Sequence, residues 1–216
     1  MIICKQYGGN TMAQTEITVQ IFEDIKNVVK KIESMGYSWQ DTFTGVDKYF
    51  TTMSGSDMKK AGYKQLLDSS IIVREFDKKK SGSHQVSMVH KKKTIDASGR
   101  VVGEDKSSVA VASGDDTSRV LASAGLTNWM TLSQQNNFYI NGEKTIIVGT
   151  VQGLPGTFVE IEEYNSIKDK PEKEKFDILT DFVNSLGFRT GGDYGCKKIY
   201  MLYEKSLESQ KSKESM

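Results

Sequence analysis

The chain has few of the residues that build metal-bound or disulfide-bonded folds. Its 216 residues include two cysteines and two histidines. Cys4 and Cys196 are far apart in the sequence and lack metal-ligand spacing. With only His84 and His90 beside them, a structural zinc site is not expected, and reduced thiols are predicted for both cysteines.

Long hydrophobic runs and an excess of one charge are also missing. No apolar run approaches the roughly 20 residues that a membrane-spanning helix needs, and the N-terminus has no hydrophobic signal region. The formal net charge is +1, so no global excess indicates nucleic acid or an anionic membrane as a partner. Any anion-binding site must therefore be local, and we expect a cytoplasmic protein without a membrane or nucleic-acid partner.

The order of predicted elements favours antiparallel pairing. Hydrophobic residues make up 37% of the chain, enough for one large domain or at most two small ones. Residues 16–22 alternate as a strand, and apolar residues recur at helical spacing over 25–35. The Asn141-Gly142 pair predicts a hairpin, a second helix follows Pro171, and residues 197–203 are predicted as a final strand. Eight or nine strands with two main helices favour an α+β barrel or strongly curved antiparallel sheet.

The segment 153–162, Gly-Leu-Pro-Gly-Thr-Phe-Val-Glu-Ile-Glu, is the most informative stretch. Its Gly/Pro turn between two alternating runs predicts a hairpin. The period of two then places Glu160 and Glu162 on one sheet face. Neighbouring carboxylates repel each other, so this face meets water, a bound cation or a cluster of Lys and Arg. A solvated outer face is the plain alternative.

Five segments together resemble the CYTH family, also called triphosphate tunnel metalloenzymes, which includes class IV adenylyl cyclases and thiamine triphosphatases. Residues 16–20 (Glu-Ile-Thr-Val-Gln) stand where the family has Glu-x-Glu-x-Lys, and residues 47–52 (Asp-Lys-Tyr-Phe-Thr-Thr) resemble Asp-x-Tyr-Phe-Asp-Thr. Residues 71–74 (Ile-Ile-Val-Arg) and 88–91 (Met-Val-His-Lys) resemble two further strands, and 153–162 is the most specific match. The resemblance implies an eight-stranded antiparallel barrel or tunnel with flanking helices.

The extent of the resemblance, the lack of periodicity near the N-terminus and the polar composition of the C-terminal residues together predict the domain bounds. We expect a single CYTH-like domain over residues 14–205. A disordered leader is expected over 1–13, and a disordered polar tail over 206–216.

The resemblance assigns three groups of residues to a site inside the tunnel. It implies Mg²⁺ or Mn²⁺ as the cofactor, because the family lines its tunnel with Glu for a divalent cation and with Lys or Arg for phosphate. The predicted metal ligands are Glu16, Glu160 and Glu162. The predicted phosphate contacts are Arg74, Lys91 and Lys106, and the predicted ligand-lining residues are Thr18, Gln20, Gln134 and Asn136.

Departures from the family pattern leave the function open between two classes. Thr18 replaces a Glu, Gln20 a Lys and Ile72 an Arg, while Gly149 stands where an Asp is frequent. The implied function is binding of a nucleotide or other phosphorylated small molecule, with metal-dependent triphosphate hydrolysis or nucleotide cyclisation as the enzymatic version. The alternative is a catalytically inactive tunnel that sequesters a nucleotide signal. No catalytic residue is assigned, and a homodimer is one of the assembly states that the prediction allows.

Overall fold

The computed structural model describes residues 15–95 and 101–214. Eight strands form one antiparallel sheet in the order β1-β8-β7-β6-β2-β3-β4-β5. The strands are β1 (Glu16–Ile21), β2 (Ser38–Thr51), β3 (Ile71–Lys78), β4 (His84–Ile95), β5 (Val101–Ala110), β6 (Thr127–Asn141), β7 (Lys144–Val151) and β8 (Thr157–Glu162). The helices are α1 (Ile25–Ser34), α2 (Gly55–Lys60), α3 (Tyr63–Asp68), α4 (Gly114–Ser123), α5 (Glu172–Ser185) and α6 (Lys198–Glu214).

The strand count and the α+β class predicted from the sequence are confirmed, but the sheet is curled and not closed. Among the described residues, β1 and β5 share no hydrogen-bonded ladder and remain the two ends of the strand order. The outer edge of β1 is occupied instead by the segment that precedes α6. The Thr18 N–H donates to the Tyr194 carbonyl at 3.0 Å, and the Cys196 N–H donates to the Thr18 carbonyl at 3.1 Å. These hydrogen bonds use backbone groups of β1 that would otherwise be available to pair with β5 and close a barrel.

The convex side of β1, β7 and β8 carries the main core. The alternation predicted for β1 is confirmed, because Ile17, Val19 and Ile21 are fully buried. They pack against α1 and α5, whose apolar stripes include Ile32 and Leu179. The opposite faces of the same strands therefore point into the curled sheet.

Helix α6 replaces the predicted final strand over residues 197–203. Ile199, Met201 and Tyr203 alternate as in a strand, but Ile199, Tyr203 and Leu207 also recur at the spacing of one helix face. In the fold, Ile199 and Tyr203 are buried and Leu207 packs beside Tyr203, so the helical period is the one that is used. The helix continues through Glu214, and residues 206–214 of the expected disordered tail are therefore helical.

The expected leader, residues 1–13, lies outside the described residues. None of the described helices is both long and apolar enough to span a lipid bilayer.

Candidate functional site

The concave side of the sheet encloses a cavity of about 1230 Å³. Alternate side chains of all eight strands line it, together with Leu67 of α3 and the residues 196–199 at the start of α6. The wall carries six basic and four acidic side chains: Arg74, Lys78, Lys91, Lys106, Lys197 and Lys198, with Glu16, Asp47, Glu160 and Glu162.

The two ends of the cavity differ in burial and in chemistry. At one end Tyr49, Ile72 and Val89 are buried and pack with residues of α3 and α6. At the other end Phe43, Phe76 and Phe138 are half-buried and stand beside exposed Gln85. The cavity therefore opens at this aromatic end, which we call the aromatic mouth (Phe43, Phe76 and Phe138), and is packed with hydrocarbon at the opposite end.

Arg74 is held by Asp47, which lies directly opposite it in the pairing of β2 with β3. The guanidinium donates from Nε to Oδ1 at 2.7 Å and from a terminal nitrogen to Oδ2 at 2.5 Å. Asp47 is 1% exposed. Burial alone would lower the pKa of Arg74, but the attraction and hydrogen bonds of Asp47 more than offset it, and the pKa is raised. The bidentate pair fixes the guanidinium in the cavity wall.

Lys198 makes a second internal pair. Its ammonium group donates to Glu160 and, at 2.8 Å, to the Gln134 amide oxygen. Both Lys198 and Glu160 side chains are about one-seventh exposed, at 13% and 16%. The first residue of α6 therefore connects the helix to β6 and β8 across the cavity.

A further cluster joins β8 and β1 to β4 and β5. Burial raises the pKa of Glu162 to about 7, with the nearby Glu16 and Glu160 carboxylates adding to the rise. Burial lowers the pKa of Lys106 to about 8, and Lys91 and Arg74 lower it further, while Glu16 and Glu162 oppose them. Both groups therefore change charge near neutral pH, which is typical of functional sites.

As they stand, the three carboxylates predicted as metal ligands do not fit a three-carboxylate metal centre. Glu16, Glu160 and Glu162 all line the cavity. However, Glu160 accepts from Lys198, and Thr18 Oγ1 donates to Glu16 at 3.3 Å. Within residues 15–95 and 101–214, no group of three or more His, Cys, Asp or Glu is arranged to hold a metal ion.

The cavity gathers nine of the ten residues that the sequence assigned to the site. Gln20 is the exception, since it is not among the lining residues. Its amide donates to the Pro155 carbonyl at 2.7 Å, in the turn between β7 and β8. The nine that line the cavity are Glu16, Thr18, Arg74, Lys91, Lys106, Gln134, Asn136, Glu160 and Glu162. Their roles as ligands stay predictions.

Gly149, where the family resemblance predicts an acidic residue, has no room for a side chain. A Cβ atom at Gly149 would overlap the side-chain oxygen of Asn136 and approach the Gln135 carbonyl to 2.7 Å. Asn136 therefore occupies the space that a larger residue on β7 would need.

Four charged residues of the cavity were not among the site residues predicted from the sequence: Asp47, Lys78, Lys197 and Lys198. Lys197 and Lys198 were not assigned to the site because residues 197–203 were predicted to form a separate final strand. Asp47 entered only as part of the segment 47–52 that resembles a family motif. Lys197 lines the cavity, and burial lowers the pKa of its amine. The adjacent Lys197-Lys198 pair just before an apolar helical stripe was the available signal.

Comparisons with known proteins support the fold. No protein-family model matches the chain, and no curated protein sequence matches it. A solved structure of a protein from Pyrococcus horikoshii OT3 is 17% identical, with a TM-score of 0.61, over 81% of this chain and 91% of that one. A proposed adenylate cyclase from Vibrio parahaemolyticus is 11% identical, with a TM-score of 0.60, over 89% of this chain and 99% of that one.

A plant protein shares the same architecture. This proposed adenylyl cyclase from Hippeastrum, described as having a dominant triphosphatase activity, is 12% identical with a TM-score of 0.57. The alignment covers 89% of this chain and 96% of the plant chain. At these identities the likeness establishes the fold alone, and the resemblance to triphosphate tunnel proteins is confirmed at that level.

Proposed function

We propose that the cavity binds a phosphorylated small molecule. The observation that carries the proposal is the convergence of basic side chains from separate elements on one enclosed space: Arg74 of β3, Lys91 of β4, Lys106 of β5, and Lys197 and Lys198 at the start of α6. These half-buried cations lose part of their hydration, and a bound anion would offset that cost. With six Lys and Arg against four Asp and Glu, the cavity wall carries a local excess of two positive charges in a chain whose formal net charge is +1.

The internal ion pairs favour a ligand with a modest number of phosphates. Asp47 already balances Arg74, and Glu160 already balances Lys198. A long polyphosphate would have to compete with both carboxylates for their partners. A ligand that also uses the amides of Gln134 and Asn136 needs fewer charge-assisted hydrogen bonds, each worth about 1.5–3 kcal/mol. A nucleotide meets this description.

Turnover of a triphosphate is the second candidate. The triphosphatase described for the Hippeastrum neighbour supports it, as does the presence of three carboxylates on the cavity wall. Binding of Mg²⁺ or Mn²⁺ by Glu16, Glu160 and Glu162 stays a prediction, and Lys198 would have to leave Glu160 for all three to serve. A cytoplasmic location and a homodimer also remain predictions from the sequence.

Calorimetric titration with ATP, ADP and tripolyphosphate tests the proposal. Each titration is run in EDTA and again with Mg²⁺ or Mn²⁺, and released phosphate and pyrophosphate are measured in the same samples. Binding in EDTA without product supports sequestration, whereas product that appears only with metal supports the enzymatic candidate.

Substitutions of Lys91 and Lys106 test the phosphate contacts, and the neighbouring Lys92 supplies the matched control. The double substitution Lys91→Gln and Lys106→Gln removes two charge-assisted contacts, each worth about 1.5 kcal/mol or more. Since about 1.4 kcal/mol corresponds to a tenfold change in affinity, ATP binding should weaken about 100-fold or more. Lys92→Gln removes the same kind of charge from the exposed face of β4. It should change the affinity for ATP less than twofold. The proposal fails if no phosphorylated compound binds, or if Lys92→Gln weakens binding as much as the double change.

A further inference from the structure

The half-buried aromatic mouth is not used by the phosphate-binding proposal. Phe43 of β2 and Phe138 of β6 meet edge to face, with ring centroids 6.1 Å apart and planes at 80°. Lys78 Nζ lies 5.5 Å from the Phe43 ring centroid. Rings at the open end of a polar cavity keep apolar surface in contact with water, which is unfavourable unless another apolar surface covers it.

The third ring of the aromatic mouth, Phe76, lies over Gly45, which has no side chain. Gly45 lies between Phe43 and Asp47 on the inward face of β2, and a Cβ atom there would stand 2.5 Å from the Phe76 ring. Phe76 can lie over the strand only because this position is glycine. The Arg74 guanidinium carbon is 5.0 Å from the Phe76 centroid, so the aromatic mouth adjoins the charged part of the cavity.

Amide side chains stand beside the rings. Gln85 pairs with Phe76 in the register of β3 with β4, and Asn136 pairs with Phe43 in the register of β2 with β6. Both line the cavity. A side-chain amide has one acceptor oxygen and an NH₂ group with two donor hydrogens. It can therefore hydrogen-bond to the polar edge of a heterocycle whose face is stacked on an aromatic ring.

The spacing along the strands separates the two halves of the site. Phe43 and Asp47 are four residues apart on β2, which is roughly 13 Å along the strand. The Arg74 guanidinium reaches back to 5.0 Å from the Phe76 centroid and shortens this separation. A ring at the mouth and a phosphate near Arg74 therefore fit a ligand in which a spacer of sugar size joins the two. An inorganic polyphosphate would leave the rings uncovered.

We propose that the aromatic mouth is a ring-binding subsite, and that the ligand is a heterocycle joined through a spacer to its phosphates, such as a nucleoside di- or triphosphate. This inference rests on the proposed function, since it assigns the phosphates of the same ligand to the lysines. It makes the mouth the determinant of selectivity against inorganic polyphosphate.

Affinities for ATP, GTP, tripolyphosphate and 5-phosphoribosyl diphosphate test the inference. The last two probes carry phosphates without a base. The wild-type protein should bind at least one of the nucleotides 10-fold or more tightly than either. In the Phe43→Leu and Phe138→Leu double variant, which keeps apolar volume but removes the rings, nucleotide affinity should fall about 5- to 150-fold, the range of one stacked base. Tripolyphosphate affinity should stay within twofold.

Phe22→Leu is the matched control, because Phe22 is exposed, outside the cavity lining and packed under Arg189. It should leave every affinity unchanged. Thermal unfolding of each variant confirms that the fold is kept. Equal wild-type affinity for tripolyphosphate and nucleotides, or an equal loss for both in the double variant, overturns the ring subsite.

A separate measurement distinguishes failure of this inference from failure of the proposed function. Saturation-transfer difference NMR with adenosine and guanosine reports on the ring without any phosphate. Transfer to the base protons that disappears in the Phe43→Leu and Phe138→Leu variant supports the subsite even where the phosphates contribute nothing. Binding of tripolyphosphate with no transfer to either nucleoside supports the phosphate site and refutes the ring-binding subsite.

Discussion

Replacing Glu162 with glutamine should stabilise the protein at pH 8 and leave its stability nearly unchanged at pH 4. The folded state raises the pKa of Glu162 from 4.5 to about 7, first through burial and then through Glu16 and Glu160. One pKa unit is worth about 1.36 kcal/mol, so with a pKa raised from 4.5 to about 7, holding this carboxylate ionised in the cavity costs roughly 3 kcal/mol. The attraction of Lys106 and Lys91 opposes the rise and is already contained in this pKa.

The direction of the pH dependence follows from linkage. Below pH 4.5 the carboxyl is protonated in both the folded and the unfolded chain, so its favourable neutral state is fully available. Between pH 4.5 and 7 the unfolded chain ionises first, and the free energy of unfolding falls as the pH rises. Above pH 7 the full cost is present, and the variant escapes it.

Urea denaturation followed by tryptophan fluorescence at pH 4 and pH 8 measures the effect. Glu163→Gln is the control on the opposite face: Lys175 Nζ donates to Glu163 at 2.8 Å, and Lys175 is 7% exposed. Removing this partner should destabilise the fold by about 3 kcal/mol. If Glu162→Gln also destabilises at pH 8, or changes stability equally at both pH values, the reasoning about the cavity electrostatics is wrong.

Three further outcomes follow from the same geometry. ATP affinity at fixed ionic strength should fall about 10-fold or more between pH 6 and 9, because Glu162 ionises near 7 and Lys106 loses its proton near 8; a flat calorimetric profile would contradict this. Asp47→Asn should cost about 3–5 kcal/mol in urea denaturation, since Arg74 stays buried without its charge partner. Gly45→Ala should cost about 1–3 kcal/mol in the same assay by pushing on the Phe76 ring, and an unchanged midpoint would refute the contact.

The sequence determines the faces of the elements because side-chain periodicity is local. Alternation in β1 and β8 places Glu16, Glu160 and Glu162 opposite the buried aliphatic residues, and this is where the structure has them. Glycine and proline between β7 and β8 mark a turn without any knowledge of the fold, and Gly153 and Gly156 do adopt positive φ angles of 90° and 78°. Counting such segments predicts eight or nine strands in an antiparallel barrel or strongly curved sheet, and the structure has eight in a curled sheet.

Only the tertiary structure decides which charged groups meet. Periodicity does not give the register between strands, so the contact between Asp47 and Arg74, 27 positions apart, could not be derived from either segment alone. The segment that begins with Lys197 and Lys198 fits a strand or a helix equally well over a few residues. Packing against α3 and the sheet selects the helix, and pairing with β1 carries its first turn into the cavity. Short-range spacing in the sequence thus determines which face of each strand or helix is apolar. Packing against distant segments determines which charged side chains pair in the cavity.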